Sequence, residues 1–222
     1  MKPFSIKESL KKGWELVKAH FGLLIGATLV YLAFSSSGRA LAGNNGHIVG
    51  WSIPLFLILI VISIIIHIGY YKLYLKLVKG ERVSISELFT NYSLFWRYLG
   101  GNILAGLVTM VGFILLIVPG IYFAVKYSFT SLLVIDQDLG PVEAFKKSAE
   151  LTKGIKWYLL LFWLTLIGIN IVGVIVFVVG LLVTIPLSYA AYIYVYRAVI
   201  DAKGALPAEE VPMSPAPADP TQ

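Results

Sequence analysis

Six long apolar stretches, separated by polar or turn-forming residues, dominate the chain. Each is about long enough to cross roughly 30 Å of hydrocarbon as an α-helix. The third and fourth are joined at Pro119 and Gly120, and the fifth and sixth meet near Gly180, so both pairs predict tight hairpins. The third and fourth also fit one long hairpin that stops short of the far side. The stretches are residues 21–41, 51–72, 99–118, 119–136, 157–179 and 183–201. The pattern predicts an all-α membrane protein with six transmembrane helices.

Lysines and arginines fall almost entirely on one side of these predicted spans. Of the 18 basic residues, only Arg39 lies on the other side, and only Lys126 lies well inside a span. The positive-inside rule therefore predicts a multi-pass cell-membrane protein with both termini in the cytoplasm. The net charge of +6 is thereby assigned to the membrane surface, and nucleic acid is not an expected partner.

The segments before the first, third and fifth spans resemble one another. Each predicts a helix start: a capping box in the first two copies and, in the third, a proline at the first helical position with a glutamate at the third. The residues concerned are Ser5 and Glu8, Ser84 and Glu87, and Pro141 and Glu143. In the first copy Leu10, Trp14, Val17 and Phe21 recur at helical spacing, with lysines on another face. Such spacing is typical of an amphipathic helix lying in the headgroup layer.

This pattern predicts three internal repeats, each with an interfacial cytoplasmic helix and a hairpin of two spans. Because every unit crosses twice, all three keep one orientation, which favours a pseudo-threefold arrangement about the membrane normal. The returning spans agree, since Pro119 and Tyr122 have the spacing of Pro186 and Tyr189. The units are residues 4–80, 83–137 and 139–204 of a single integral membrane domain, 1–204. Residues 205–222, rich in Pro and Ala, predict a disordered cytoplasmic tail.

A further run of residues carries a family resemblance. It comprises Pro119-Gly120-Ile121-Tyr122, Tyr127, Asp136, Glu143-Ala144, Ser148, Leu151-Thr152-Lys153-Gly154 and Trp157. This run resembles the signature of a group of prokaryotic polytopic membrane proteins. The group includes the membrane domain attached to some glycerophosphoryl diester phosphodiesterases, together with uncharacterised relatives. The resemblance implies a membrane module of this kind, and the catalytic activity of the attached soluble barrel is not carried over.

Lys126 is the charged residue nearest the middle of a predicted span. An ammonium at that depth costs a few kcal/mol on insertion scales, so it is expected to face a cavity, a partner or a route to the interface. One interpretation is contact with an anionic headgroup or substrate. The alternative is that Lys126 snorkels, or bonds to a tyrosine or to carbonyls freed by Pro186.

Lys18, Arg97 and Lys153 occupy equivalent places in the three repeats. Arranged symmetrically, they would form a basic ring that holds anionic lipid phosphates, each base contributing about 1 kcal/mol near a negative leaflet. The alternative is that each cation complements a helix dipole and fixes the topology. The two interpretations are compatible.

Polar and aromatic side chains within the spans leave two interpretations open. The tyrosines of the returning spans are either interfacial anchors, the simpler choice, or the lining of a ligand site. Examples are Tyr122, Tyr127 and Tyr189. Likewise, His67, Asn102 and Asn170 are expected to form interhelical hydrogen bonds, with a polar relay as the alternative.

No catalytic or metal-binding constellation is evident in the sequence. There is no cysteine, the three histidines are far apart, and phosphate-loop or hydrolase motifs are missing, so neither an enzyme nor a metal or cofactor site is expected. The prediction is a non-enzymatic membrane module that binds lipids, above all anionic ones, or membrane partners including copies of itself, in envelope organisation or lipid homeostasis. The alternatives are a small transporter or channel for an anionic or hydrophobic solute, and an accessory subunit of a lipid-modifying enzyme.

Overall fold

The computed structural model describes residues 4–41, 53–175 and 180–204, and within them the chain forms α-helices and short 3-10 turns. Since these residues contain no β-strand, the predicted all-α class is confirmed. The predicted tail, 205–222, lies outside the described residues. The helices are α1 (Ile6–Ala19), α2 (Phe21–Leu41), α3 (Ile53–Val78), α4 (Phe95–Leu115), α5 (Ile117–Lys126), α6 (Thr130–Gln137), α7 (Pro141–Leu151), α8 (Lys156–Ile175) and α9 (Leu181–Gly204).

Several of these helices are long and apolar enough to cross a membrane. Among the described residues, five stretches qualify by length and composition. They are Ile53–Val78, Ile85–Leu115, Ile117–Gln137, Lys156–Ile175 and Leu181–Lys203. A sixth is added if Ile6–Ala19 and Phe21–Ser35, which meet at a bend of 96°, count as one span. These helices agree with a multi-pass membrane protein, and the predicted six spans are the upper count.

Consecutive long helices pack side by side: α2 on α3, α4 on α5, and α8 on α9. Two of these pairs come together through glycines. A Cβ atom added to Gly120 would lie 2.4 Å from the ring of Phe113, and one added to Gly180 would lie 2.5 Å from the carbonyl oxygen of Gly173. Because lipid gives helices no hydrophobic reason to associate, such close backbone approach supplies the packing that holds the pairs together.

The buried core is concentrated at one end of the bundle. It is formed by the second half of α3, by α6, by the beginning of α8 and by the second half of α9. Its largest fully buried side chains include Tyr70, Tyr74, Phe129, Phe162 and Tyr196. Since most lysines and arginines also lie at this end of the helices, it is called the basic end below.

The opposite end of the bundle exposes aliphatic side chains on α3, α4, α5 and α8. Exposed Leu, Ile, Val, Met and Phe residues cluster in residues 53–61, 103–118 and 164–175. This end is called the apolar end below. A surface of this kind suits lipid chains as solvent and does not suit water.

Helix α1 packs along α9. Its buried residues are Ser9, Gly13 and Val17, which follow one another at intervals of four. A Cβ atom on Gly13 would lie 3.0 Å from the backbone nitrogen of Ala191 in α9, so only a small residue permits this contact. Val17, assigned by the sequence to the headgroup layer, is therefore buried in protein. Trp14, from the same predicted face, remains exposed, so the interfacial placement of α1 stays a prediction.

The segment before α4 is not an amphipathic helix, and that prediction was wrong. It forms two 3-10 turns, Ile85–Leu88 and Tyr92–Leu94. Ser84 makes no side-chain capping bond, and the Glu87 carboxylate instead pairs with Lys76 of α3 at 2.8 Å. The Nδ2 of Asn91 donates to the Glu87 carbonyl oxygen (2.8 Å), so a side chain occupies an acceptor that a continuing helix would use.

The other two helix starts lie where the sequence predicted them. Ser5 is the N-cap residue of α1, and its Oγ accepts from the backbone N–H of Glu8 at 3.4 Å. The Glu8 carboxylate pairs with Lys12 at 2.9 Å, which differs from the reciprocal bond of a capping box. Pro141 is the first residue of α7, and Glu143 lies in its first turn.

The three predicted units therefore differ in detail. The element before each hairpin is a long helix in the first unit, 3-10 turns in the second and the short helix α7 in the third. Of the returning spans, α3 is continuous, the second is divided into α5 and α6, and α9 continues through Pro186. These differences leave the pseudo-threefold arrangement as a prediction.

Candidate functional site

The returning span of the second hairpin is broken between Lys126, where α5 ends, and Thr130, where α6 begins. In an unbroken helix the carbonyl of Lys126 would accept from the backbone N–H of Thr130. Here it accepts instead from the hydroxyls of Ser148 (3.1 Å) and Thr152 (3.0 Å), which lie one turn apart at the end of α7. Two side chains of α7 therefore take over the hydrogen bond that the helix gives up.

Other backbone groups freed by the break are also paired. The N–H of Phe129 donates to Ser148 Oγ at 3.1 Å, and the hydroxyl of Tyr192 in α9 donates to the carbonyl of Ser128 at 2.6 Å. Irregular backbone at membrane depth requires such partners, because lipid offers none. Ser148 and Thr152 belong to the run of residues that carries the family resemblance, and their side chains stabilise a broken helix. Sequence reasoning missed this role. The available signal was their spacing of one helical turn.

A groove runs beside the break, between α5 and α8. Its volume is about 470 Å³. One wall consists of Val118, Ile121, Tyr122 and Val125, which share a face of α5, and the other of Gly154, Lys156, Trp157 and Leu160. The Nζ of Lys156 donates to the Tyr122 hydroxyl (2.5 Å) and lies 4.1 Å from the centre of that ring. The groove is therefore apolar along its length, with an ammonium group held in place by a tyrosine.

Lys126 lies one turn beyond Tyr122, on the same face of α5. Its Nζ is 5.1 Å from the ring centre of Tyr127 and 6.0 Å from that of Phe123, and the side chain is half-buried. Tyr127 in turn stacks on Phe145 of α7, with ring centres 3.8 Å apart. The Lys126 ammonium thus contacts aromatic ring faces, one of them that of a tyrosine, at the end of a broken helix.

The predicted basic ring has three different environments. Arg97 Nη1 pairs with the carboxylate of Asp138 at 2.6 Å and also donates to its carbonyl oxygen at 3.0 Å. Lys18 lies 5.8 Å from the ring centre of Trp14, and Lys153 is exposed at the end of α7. Among the described residues no bond, ion pair or ring contact joins any two of the three. The ring therefore stays a prediction.

Asp136 joins three helices at the basic end. Its Oδ1 lies 2.9 Å from the Nζ of Lys79, the residue that directly follows α3. Its Oδ2 lies 3.7 Å from Arg197 Nη1 and accepts from the Tyr196 hydroxyl at 3.2 Å. Only 5% of the Asp136 side chain is exposed. Asp136 belongs to the run of residues that carries the family resemblance, and the structure gives it a role as the anion between the end of α3, α6 and α9.

Tyr189 belongs to a second cluster, in which a histidine joins two tyrosines. His67 Nε2 lies 3.2 Å from the Tyr189 hydroxyl, and Nδ1 lies 3.2 Å from the hydroxyl of Tyr98. The Tyr189 hydroxyl also donates to that of Tyr31 at 3.4 Å. Four helices, α2, α3, α4 and α9, meet through these contacts. Tyr189 is thus internal, whereas Tyr122, which shares its sequence spacing, is exposed in the groove.

The two asparagines make the interhelical hydrogen bonds that the sequence predicted. Asn102 Oδ1 accepts from Ser131 of α6 at 2.9 Å, and Asn170 Nδ2 donates to Ser188 of α9 at 2.8 Å. In the part of the chain that the structure describes, no three His, Asp or Glu side chains come together as a metal site would require.

This part of the molecule matches a known protein family. Residues 98–203 match the model of a family described as "Protein of unknown function (DUF975)". The matched region runs from the start of α4 to the end of α9, and it includes the broken span, the groove and Asp136. The description assigns no activity.

Two mycobacterial proteins are also similar to this chain. They are "Uncharacterized protein Rv2560" of Mycobacterium tuberculosis strain H37Rv and "Uncharacterized protein Mb2590" of Mycobacterium bovis. Each is 25% identical over 142 residues, which cover 64% of this chain and 43% of the relative. The chain therefore spans less than half the length of the curated relatives it matches. No solved structure matches it. None of these names mentions a phosphodiesterase, so that part of the resemblance stays a prediction.

Proposed function

We propose that this chain is a non-enzymatic integral membrane module that binds anionic phospholipids, and that the groove between α5 and α8 receives them. The observation that carries the proposal is the absence of a counter-ion. Among the described residues, Lys12, Lys76, Lys79, Arg97 and Arg197 each pair with a carboxylate. Lys156, which lines the groove, and Lys126, which follows the last groove residue of α5, contact only aromatic groups. An ammonium without a protein anion is free to bind a phosphate.

The shape of the groove suits a lipid better than a small anion. Its apolar walls accept an acyl chain, and Lys156 supplies a cation at one end. Trp157 is 78% exposed at the same end, as expected for a side chain that rests in the headgroup layer. A free phosphate would gain nothing from the apolar walls, whereas a phospholipid would use both parts of the groove.

This proposal assumes the orientation that the basic residues predict. With the basic end in the cytoplasm, the groove would face a leaflet rich in anionic lipid, and each cation would contribute about 1 kcal/mol. Lys18 and Lys153, both free of carboxylates among the described residues, would add a weaker, general attraction. Partner membrane proteins or further copies of the chain would then assemble around a lipid-loaded module.

Native mass spectrometry of protein released from nanodiscs tests the proposal. The nanodiscs contain phosphatidylglycerol and phosphatidylethanolamine in equal amounts. Wild-type protein is expected to retain phosphatidylglycerol selectively, and the double variant Lys126→Gln/Lys156→Gln to bind it at least tenfold more weakly. The control, Lys11→Gln/Lys146→Gln, removes the same charge from exposed positions outside the groove. Equal loss in both variants, or no selectivity in the wild type, would refute a groove-specific site.

The broken span favours a second candidate, a small transporter or channel. Discontinuous helices at membrane depth often line solute sites, and Lys126 lies at this break. Lys126→Leu in proteoliposomes separates the two candidates. A transporter of anionic solutes would lose uptake in this variant, whereas the proposed lipid module would show no saturable uptake in either form.

A further inference from the structure

A second cavity lies on the other side of α8, among α3, α8, α9 and the break in the second span. Its volume is about 320 Å³. Trp163, Leu166 and Ile167 of α8 form an apolar wall, opposite the rings of Tyr71, Tyr189 and Tyr192. Ser128, Asn170 and Ser188 supply polar groups, and no charged residue lines the cavity. It shares no lining residue with the groove between α5 and α8.

Two polar atoms of this lining have no hydrogen-bond partner. They are Asn170 Oδ1 and Ser128 Oγ, both buried from water. Two neighbouring groups already donate elsewhere: Asn170 Nδ2 donates to Leu166 O and to Ser188 Oγ, each at 2.8 Å, and Ser188 donates to Thr184 O at 2.7 Å. Buried polar groups are normally paired, and an unpaired one calls for a missing partner. A group bound in the cavity can supply the donor that Asn170 Oδ1 lacks.

We infer that this cavity binds the head of an uncharged lipid that carries a free hydroxyl group. The hydroxyl would donate to Asn170 Oδ1 and accept from Ser128 Oγ, so that both orphan atoms are paired. An ion is disfavoured because no opposite charge lines the cavity and lipid surrounds it. The apolar remainder of the ligand would lie along Trp163 and Leu166 and leave past Ile167, which is 53% exposed on the outer face of α8.

Water alone accounts poorly for this cavity. One water occupies about 30 Å³ and needs two to four polar partners. Two orphan atoms would satisfy one or two waters, and a cavity of about 320 Å³ has room for several more against aromatic and aliphatic walls. A ligand that combines one hydroxyl with apolar surface would pair both orphan atoms and fill the space between the apolar walls.

The test uses the fluorescence of Trp163, which lines the cavity. A variant with Trp14, Trp51, Trp96 and Trp157 changed to Phe leaves Trp163 as the only tryptophan. In nanodiscs it is titrated with diacylglycerol brominated on its chains, with the same lipid blocked as a methyl ether, and with brominated phosphatidylglycerol. We expect saturable quenching by diacylglycerol, at least tenfold weaker binding of the ether, and only weak, non-saturating quenching by phosphatidylglycerol.

Asn170→Leu, introduced into the same background, is expected to weaken diacylglycerol binding at least tenfold. Asn102→Leu is the control, because it removes another intramembrane amide whose contact, with Ser131, lies outside the cavity. Equal quenching by the alcohol and its ether, or by phosphatidylglycerol, would overturn the inference, as would retained affinity in Asn170→Leu. If Asn170→Leu does not fold, the comparison of alcohol with ether in the parent still decides. Failure here leaves the phosphatidylglycerol result for the groove unchanged, since the two sites use different residues and lipids.

Discussion

The two ends of this bundle are held together by different interactions. At the basic end, helices bury a continuous core and are joined by side chains: Asp136 between three helices, His67 between two tyrosines, and Ser148 at the break in the second span. At the apolar end α3, α4, α5 and α8 expose aliphatic residues, and the hairpin of α8 and α9 closes through the glycines Gly173 and Gly180. One set of helices thus follows the rules of a soluble core at one end and of a lipid-solvated bundle at the other.

The difference follows from what surrounds each end. Where water or headgroups are near, burial of apolar area stabilises the packing, and polar groups can be carried inward if they are paired. Where lipid surrounds the helices, burial of a leucine gains little, so close backbone contact and interhelical hydrogen bonds remain. Substitutions at the two ends should therefore act through charge or hydrogen bonding at one and through shape at the other.

The largest effect is expected at Asp136. Asp136→Asn removes the anion that Lys79 and Arg197 share and leaves both cations beside a neutral amide. Because these cations are about one-third exposed, we expect a loss of about 3 kcal/mol, at the lower limit for breaking a buried pair. Unfolding of the purified protein in mixed micelles with rising dodecyl sulfate, followed by tryptophan fluorescence, measures this loss.

Asp138→Asn is the matched control for that variant. Asp138 also pairs with an arginine, but its side chain is 68% exposed, so the expected loss is at most about 1 kcal/mol. Asparagine also tolerates the left-handed backbone at this position, where φ is 53°. Equal losses in the two variants would mean that burial of Asp136 does not matter, and that the basic end is not organised around it.

A smaller but clear loss is expected at the apolar end from Gly173→Ala. A Cβ atom there would lie 2.5 Å from Thr184 Oγ1 of α9, so α8 and α9 would have to separate, at a cost of about 2 kcal/mol. Gly168→Ala in the same helix is the control, since nothing lies within 4 Å of its Cβ position and alanine favours a helix by about 1 kcal/mol. If both alanines stabilise the protein in the same unfolding titration, close backbone contact does not hold the apolar end.

The next effect concerns the break in the second span. Ser148→Ala removes the acceptor of the Phe129 N–H and one of two donors to the Lys126 carbonyl, with an expected loss of about 1 to 2 kcal/mol. Thr165→Ala is the control: its hydroxyl bonds only to Leu161 within its own helix, so about 0.5 kcal/mol or less is expected. Hydrogen exchange at residues 127–130 should rise in the first variant alone. Unchanged exchange there would mean that the break does not depend on Ser148.

Much of this fold could be predicted from the sequence because its main signals are long and local. Apolar stretches of about 20 residues identify membrane helices without knowledge of their neighbours, and Pro141 marks a helix start by its own geometry. The capping pattern of Ser84 and Glu87 failed because other side chains compete for the groups of Glu87. Lys76 of α3 takes its carboxylate, and Asn91, four residues further on, takes its carbonyl.

The site was harder to predict, because it depends on which residues meet across helices. Sequence reasoning singled out Lys126 by its unusual depth but gave Lys156, thirty residues away, no role beyond orientation. Lys156 gains its place from the groove between α5 and α8, which it lines beside Tyr122. The predicted repeat was misleading for the same reason, because residues that match in sequence spacing lie in different surroundings. Tyr122 is exposed beside Lys156, whereas Tyr189 is internal beside His67.

The smallest effect is expected at Glu8, an exposed charge at the basic end. Its hydrogen bond and charge attraction to Lys12 lower the pKa of Glu8 below the ordinary 4.5. A carboxyl whose pKa falls on folding stabilises the protein above the unfolded value and loses that contribution as the pH falls through the folded value.

Glu8→Gln should therefore lower the unfolding temperature at pH 7 by less than Ser148→Ala does, and 0.5 M salt should remove most of the difference. The difference should also shrink as the pH falls through the lowered pKa of Glu8. Unfolding temperatures of wild type and variant across a pH series from 7 downward, with and without salt, measure this. A difference that survives salt and acid would mean that Glu8 acts as a helix-capping group and not as an ion. Charge at the basic end would then matter at the buried Asp136 and not at this surface position.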